Sequence, residues 1–162
     1  MFRVVKLPNH IPGRIFLHNM LGHYGQSLED TFQEVKLCKI NRIISLASIE
    51  EIEQKSPDYW RMLTIGELPC AYECFAIPDF GIPQDHQCFD GFVRAVAGRV
   101  LTGENILIHC GAGIGRTGTF ACCLLTTLGI PTEEALKIVC EAGSGPETSE
   151  QEGLISWFAS RA

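Results

Sequence analysis

No apolar stretch in the 162 residues stays free of charge long enough to cross a membrane, and no repeat or low-complexity tract interrupts the chain. Basic residues are scarce: 13 Lys and Arg stand against 19 Asp and Glu, a net charge of −6, with no evident basic patch. A generic nucleic-acid binder needs clustered cations to displace counterions from a phosphate backbone, and docking on anionic lipid draws on the same charges, so both classes are disfavoured. The opening Met1-Phe2-Arg3-Val4-Val5-Lys6 is too short and too broken by charge for the apolar segment of a secretory signal. These absences predict a soluble, cytoplasmic protein with no membrane span and no nucleic-acid partner. The length fits one domain over residues 1–162, large enough to bury a real core. Eight cysteines are present, but they are scattered through a chain with ample apolar content, which predicts reduced thiols rather than a disulfide scaffold.

Strand and helix patterns alternate with short breaks, which predicts an α/β fold: a central, mostly parallel sheet of about four to five strands flanked by helices. Extended segments are expected at Phe2 to Leu7, Ile15 to Leu17, Arg42 to Leu46, Tyr72 to Ala76 and Asn105 to Ile108. Ser27 with Asp30, and Ser48 with Glu51, are helix-opening pairs, and Asp85 caps a helix through Phe89, Phe92, Val93 and Val96. A helix is expected after Arg116, and two more from about Thr132 to Ala142 and about Ser149 to Ala159. The stretch from Ser48 to Cys70 has no decided pattern, and substrate-facing variation is expected there.

Chemistry concentrates in Ile106-Leu107-Ile108-His109-Cys110-Gly111-Ala112-Gly113-Ile114-Gly115-Arg116-Thr117-Gly118. An apolar strand ends in a cysteine, and a glycine-rich loop leads to an arginine. Glycines let the backbone point successive N–H groups inward as an anion nest, which a following helix N-terminus makes more positive. Gly111, Ala112, Gly113, Ile114, Gly115 and Arg116 would then hold a phosphate, and the same field favours the Cys110 thiolate. Arg116 adds a planar fork matched to two phosphate oxygens.

This run is similar to the signature loop of the cysteine-dependent protein tyrosine phosphatases. The chain length and the upstream position of Asp79 resemble the small atypical dual-specificity phosphatases. So do Ile11-Pro12-Gly13-Arg14-Ile15, Ile77-Pro78-Asp79-Phe80 with Pro83, and Glu147-Thr148-Ser149-Glu150-Gln151-Glu152. The resemblance implies a protein tyrosine phosphatase-like fold and hydrolysis of phosphotyrosine, with phosphoserine and phosphothreonine as further substrates, through a cysteinyl-phosphate on Cys110. Asp79 would protonate the leaving oxygen and then serve as base for water, which calls for a carboxyl kept protonated by burial or by apolar neighbours such as Phe80. Thr117 would hydrogen-bond the sulfur, Gln151 would position the water, and His109 would orient the loop. No metal and no cofactor are called for, and the partner is a phosphorylated protein.

Other readings compete at several positions. A phosphate-recognising module without turnover would use the same cup, and so would a phosphatase of a singly phosphorylated lipid or an RNA 5′-phosphate. The loop interior carries no Lys, which disfavours highly phosphorylated inositols. Asp85 is a rival acid better explained as a helix cap, and Glu147 with Gln151 also reads as a capping pair. Cys122 and Cys123 read as core thiols, with resolution of an oxidised Cys110 as the alternative; Cys70 and Cys74 are weaker resolving candidates and lack the second ligand pair of a zinc site. Gly113-x-Gly115-x-x-Gly118 matches a dinucleotide fingerprint, but the acidic pair that follows opens a helix and too little chain remains for the domain. Arg116 stands where a Walker loop needs Lys, and Asp79-Phe80-Gly81 imitates a kinase triplet in a chain too short for a kinase.

Overall fold

The three central strands of the sheet, at Arg14–His18, Arg42–Ser45 and Asn105–His109, are short runs rich in Ile, Leu and Phe and buried after their first residue, as strands covered on both faces are. The computed structural model describes residues 1–161. Strands β1 (Arg3–Val4), β2 (Arg14–His18), β3 (Arg42–Ser45), β4 (Ala71–Cys74) and β5 (Asn105–His109) form one sheet in the order β1-β2-β5-β3-β4. β1 is antiparallel to β2 and every other pairing is parallel. Helices α1 (Leu28–Leu37), α2 (Ile49–Lys55), α3 (Pro57–Thr64), α4 (His86–Leu101), α5 (Gly115–Thr127), α6 (Thr132–Glu141) and α7 (Ser149–Ser160) complete the α/β architecture.

Successive strand residues face opposite sides, and the two cores divide accordingly. Ile15, Leu17, Ile44, Ile106 and Ile108 pack with Phe89 and Val93 of α4, Phe120 of α5 and Phe158 of α7. Phe16, Ile43 and Leu107 pack on the other side with Val35 of α1, Ile52 of α2 and Tyr59 of α3. Every residue of α5 from Gly115 to Thr126 is buried, so this helix is walled in by protein along nearly its whole length. Gly118 permits that: a Cβ there would collide with the backbone of Gly145.

The capping signals resolve as expected. Ser27 accepts from the Asp30 N–H, Ser48 from that of Glu51, and Asp85 from those of Gln87 and Cys88. Several boundaries differ, among them the first strand, expected over Phe2 to Leu7, of which only Arg3–Val4 pairs. The undecided stretch contains α3, opened by Pro57, a residue suited to the first helical turn because it lacks the N–H that would go unpaired there. α5 begins at Gly115, so Arg116 lies in its first turn rather than before it. β4 runs from Ala71 to Cys74, shorter and earlier than its apolar pattern suggested, because it pairs only with Arg42–Ser45. No described helix is long and apolar enough to cross a membrane.

Candidate active site

The carboxyl ends of parallel strands leave a crevice where the connecting loops part, and central β5 ends there at His109 with Cys110 next in chain. The loop after Cys110 is held by its carbonyls. Gly111 O accepts from Met20 N at 2.9 Å, Gly113 O from Arg3 Nη2 at 2.7 Å and Ser144 Oγ at 2.6 Å, and Ile114 O from Gly145 N at 3.2 Å and Gly118 N at 2.7 Å. A trans peptide sets its C=O and N–H antiparallel, so tethering these three carbonyls turns the Ala112, Ile114 and Gly115 N–H groups away from those anchors. None of the three donates to a protein acceptor among the described residues. Gly113 has φ +77°, and a Cβ there would strike the His18 backbone, so only glycine completes the turn. Its N–H donates to Cys110 Sγ at 3.3 Å, and Cys110 is 2% exposed.

Arg116, also 2% exposed, meets a partner that sequence reasoning assigned only to a helix cap. Glu51 of α2 accepts from Nη1 through Oε1 and from Nη2 through Oε2, each at 2.8 Å, and Ile77 O accepts from Nη1 at 3.0 Å. This two-point pair fixes the plane of the guanidinium. Hydrogen bonding from Arg116 holds the Glu51 carboxyl at about 2, well below its ordinary 4.5, against burial and with help from Lys55. Lys55 Nζ donates to Glu51 Oε2 at 2.8 Å and lies 4.0 Å from Asp79 Oδ2. Arg116 Nε is buried without a partner, a donor left for an anion in the cup.

Asp79 stands in the turn closed by Gly81 N to Pro78 O at 2.8 Å, with its Oδ1 3.2 Å from Arg116 Nη2. Phe80, next in that turn, has φ +59°, a strained setting for a bulky residue, and is 61% exposed. The expectation of burial against Phe80 is therefore corrected: the Asp79 side chain is 52% exposed and lies beside two cations. Gln151 is fully buried. Its Oε1 accepts from Glu147 N at 2.7 Å and its Nε2 donates to Gly81 O at 3.2 Å, tying α7 to the Asp79 turn. The cap of α7 is Thr148, whose Oγ1 accepts from Gln151 N, so Gln151 and Glu147 do form a capping arrangement around it.

His109 Nδ1 meets Cys110 O at 2.9 Å; a carbonyl only accepts, so Nδ1 carries the proton and Nε2 accepts from Tyr59 OH at 2.8 Å. Burial lowers His109 to about 4, so it is a neutral brace at physiological pH and no proton donor to substrate. Tyr59 belongs to α3, which is why sequence spacing gave no sign of it. Thr117 Oγ1 is buried without any hydrogen-bond partner, so the bond expected from it to Cys110 Sγ is not formed here. Burial pushes the Cys122 thiol up to about 12 and that of Cys123 higher, as packed core thiols. Cys70 is raised to about 11, also by burial. Asp85 serves as the cap of α4.

A family model described as the DSP-PTPase phosphatase domain of Swiss Army Knife proteins matches residues 18–155. The tyrosine-protein phosphatase non-receptor type 61F of Drosophila melanogaster is 36% identical over 73 residues, 41% of this chain and 13% of that protein, so the likeness covers a small part of the relative. A crystal structure of kinase associated phosphatase, with serine in place of its catalytic cysteine, superposes with a TM-score of 0.83 at 19% identity over 99% of this chain and 94% of that one. Tk-PTP in its active form gives 0.72 at 23% identity over 99% and 98%.

Proposed function

Because the chain belongs to the family of DSP-PTPase phosphatase domains, we propose that it hydrolyses phosphotyrosine, and phosphoserine and phosphothreonine as further substrates, in proteins through a cysteinyl-phosphate on Cys110. One observation supports the reading: the Ala112, Ile114 and Gly115 N–H groups and the buried Arg116 Nε find no protein acceptor among the described residues, in a loop that closes on the Cys110 sulfur through the Gly113 N–H. In the first step Sγ attacks phosphorus, the P–O bond to the leaving group breaks, and Asp79 gives that oxygen its proton. The loop amides and Arg116 hold the equatorial oxygens, where charge builds in the transition state. In the second step Asp79, now a carboxylate, takes a proton from water as the water oxygen bonds phosphorus and the S–P bond breaks, releasing phosphate and the Cys110 thiolate. Gln151 is a positioning residue in this scheme, since its contact with Gly81 O fixes the turn that carries the acid.

The direct test is turnover of a phosphotyrosine peptide in excess chelator, beside a phosphothreonine peptide and a singly phosphorylated inositol lipid. Peptide turnover is expected; a folded protein that binds vanadate yet turns over nothing would favour the binding module. Asp79→Asn is expected to lower kcat about 10²-fold on poor leaving groups and less on p-nitrophenyl phosphate. Asp85→Asn, which keeps a capping oxygen, should leave kcat alone and change stability little. The reverse pattern would reassign the acid.

A further inference from the structure

We infer that Arg3, on the edge strand at the far end of the sequence from the loop, is a positioning residue of the phosphate cup: it sets the plane of the Gly113–Ile114 peptide so that the Ile114 N–H faces the bound anion. The inference rests on the phosphatase reading of the cup. β1 adds to the sheet beside β2 with Arg3 opposite Leu17, near the end of β2 where the cup lies. From there the guanidinium reaches three acceptors. Nη2 donates to Gly113 O at 2.7 Å, and Nη1 donates to Ala142 O and Ser144 Oγ, each at 2.8 Å. Ser144 Oγ in turn donates to Gly113 O at 2.6 Å, so one carbonyl takes a charged and a neutral donor together.

That carbonyl needs them. Gly113 sits at φ +77°, a conformation a glycine leaves as easily as it enters, and the peptide that follows it would be free to turn over without an anchor on its oxygen. With the oxygen fixed, the planar peptide directs the opposite N–H into the cup. A charged donor on the carbonyl also polarises the peptide and strengthens that N–H as a donor. The linker Ala142 to Ser144, with Gly143 at φ +85°, passes directly against the Arg3 guanidinium: a Cβ on Gly143 would lie 3.0 Å from Nη1. Arg3 therefore joins the edge strand, the loop after Cys110 and the linker Ala142 to Ser144, and no lysine could serve both Gly113 O and Ala142 O in that fork geometry.

The experiment compares alkylation of Cys110 by iodoacetate, whose carboxylate uses the anion cup, with alkylation by neutral iodoacetamide, in wild type, Arg3→Gln, Arg3→Lys and Arg42→Gln. Arg42 bridges Glu73 and Glu104 at the opposite end of the sheet and controls for general loss of stability. Arg3→Gln is expected to lower the iodoacetate-to-iodoacetamide rate ratio, and to weaken vanadate inhibition, by roughly tenfold to a hundredfold, the worth of a hydrogen bond from a charged donor. Arg3→Lys should restore part of the ratio, and Arg42→Gln should leave it intact while lowering Tm. A ratio unchanged in folded Arg3→Gln, with wild type showing the preference, would overturn the role of Arg3 alone. Absence of any preference or of phosphate protection in wild type would instead overturn the cup.

Discussion

Cys110→Ser is expected to abolish turnover, by more than about 10⁴-fold, while phosphate and vanadate binding persist. Serine keeps the shape of the floor but offers a neutral hydroxyl in place of a sulfur nucleophile, and no base stands ready to take its proton: His109 is neutral, but Nε2 is occupied by Tyr59 OH and Nδ1 by Cys110 O. The N–H groups of Ala112, Ile114 and Gly115 do not depend on the sulfur, because their peptides are anchored from outside by Met20, Arg3, Ser144 and Gly145. Binding and chemistry should therefore separate in this variant. The readouts are p-nitrophenyl phosphate hydrolysis in excess chelator and phosphate titration by calorimetry. Residual turnover above a hundredth of wild type would remove Cys110 as nucleophile, and loss of anion binding along with turnover would mean that the sulfur also holds the loop.

The chain's own chemistry shows why some of this was legible in the sequence and some was not. Strand ends, caps and the glycine loop are local: Ser48 and Glu51 three residues apart announce a helix start, and Gly113 between Cys110 and Arg116 announces a turn that side chains cannot make. What spacing cannot carry is contact across the fold. Glu51 looked complete as a capping partner, yet its carboxylate goes to an arginine on another helix. Arg3 looked like a charge interrupting an apolar opening, and it reaches the loop only because β1 lies antiparallel beside β2. Gln151 resembles a water-positioning residue by its place in sequence; the fold buries it with two backbone partners, one of them Gly81 O in the turn that carries Asp79. Phe80 is an apolar neighbour of Asp79 in sequence, but in the turn, at φ +59°, it stands 61% exposed.

Arg116→Lys should lower kcat about 10²- to 10³-fold, because an ammonium cannot keep the two-point pair with Glu51 while offering a further buried donor, as Nε does, to the transferring phosphoryl group. The same change exposes what Glu51 contributes. In the folded protein the Glu51 carboxyl titrates at about 2 against an ordinary 4.5, a difference worth roughly 3 kcal/mol. The folded form holds its proton less tightly than the unfolded form, so this stabilisation is fully present above pH 4.5 and is lost as the pH falls through about 2. Urea unfolding between pH 2 and 6 checks the sign. Wild type should lose stability steeply over the lower half of that range, whereas Glu51→Gln, which shares every other titrating group including His109, should be flatter by that same amount. Glu51→Gln should also lower kcat by more than it raises KM, since the guanidinium plane matters most when charge on the phosphoryl oxygens is largest. Parallel pH curves for the two proteins would mean that Lys55, 2.8 Å from Glu51 Oε2, compensates the carboxylate and that Arg116 is held mainly by Ile77 O.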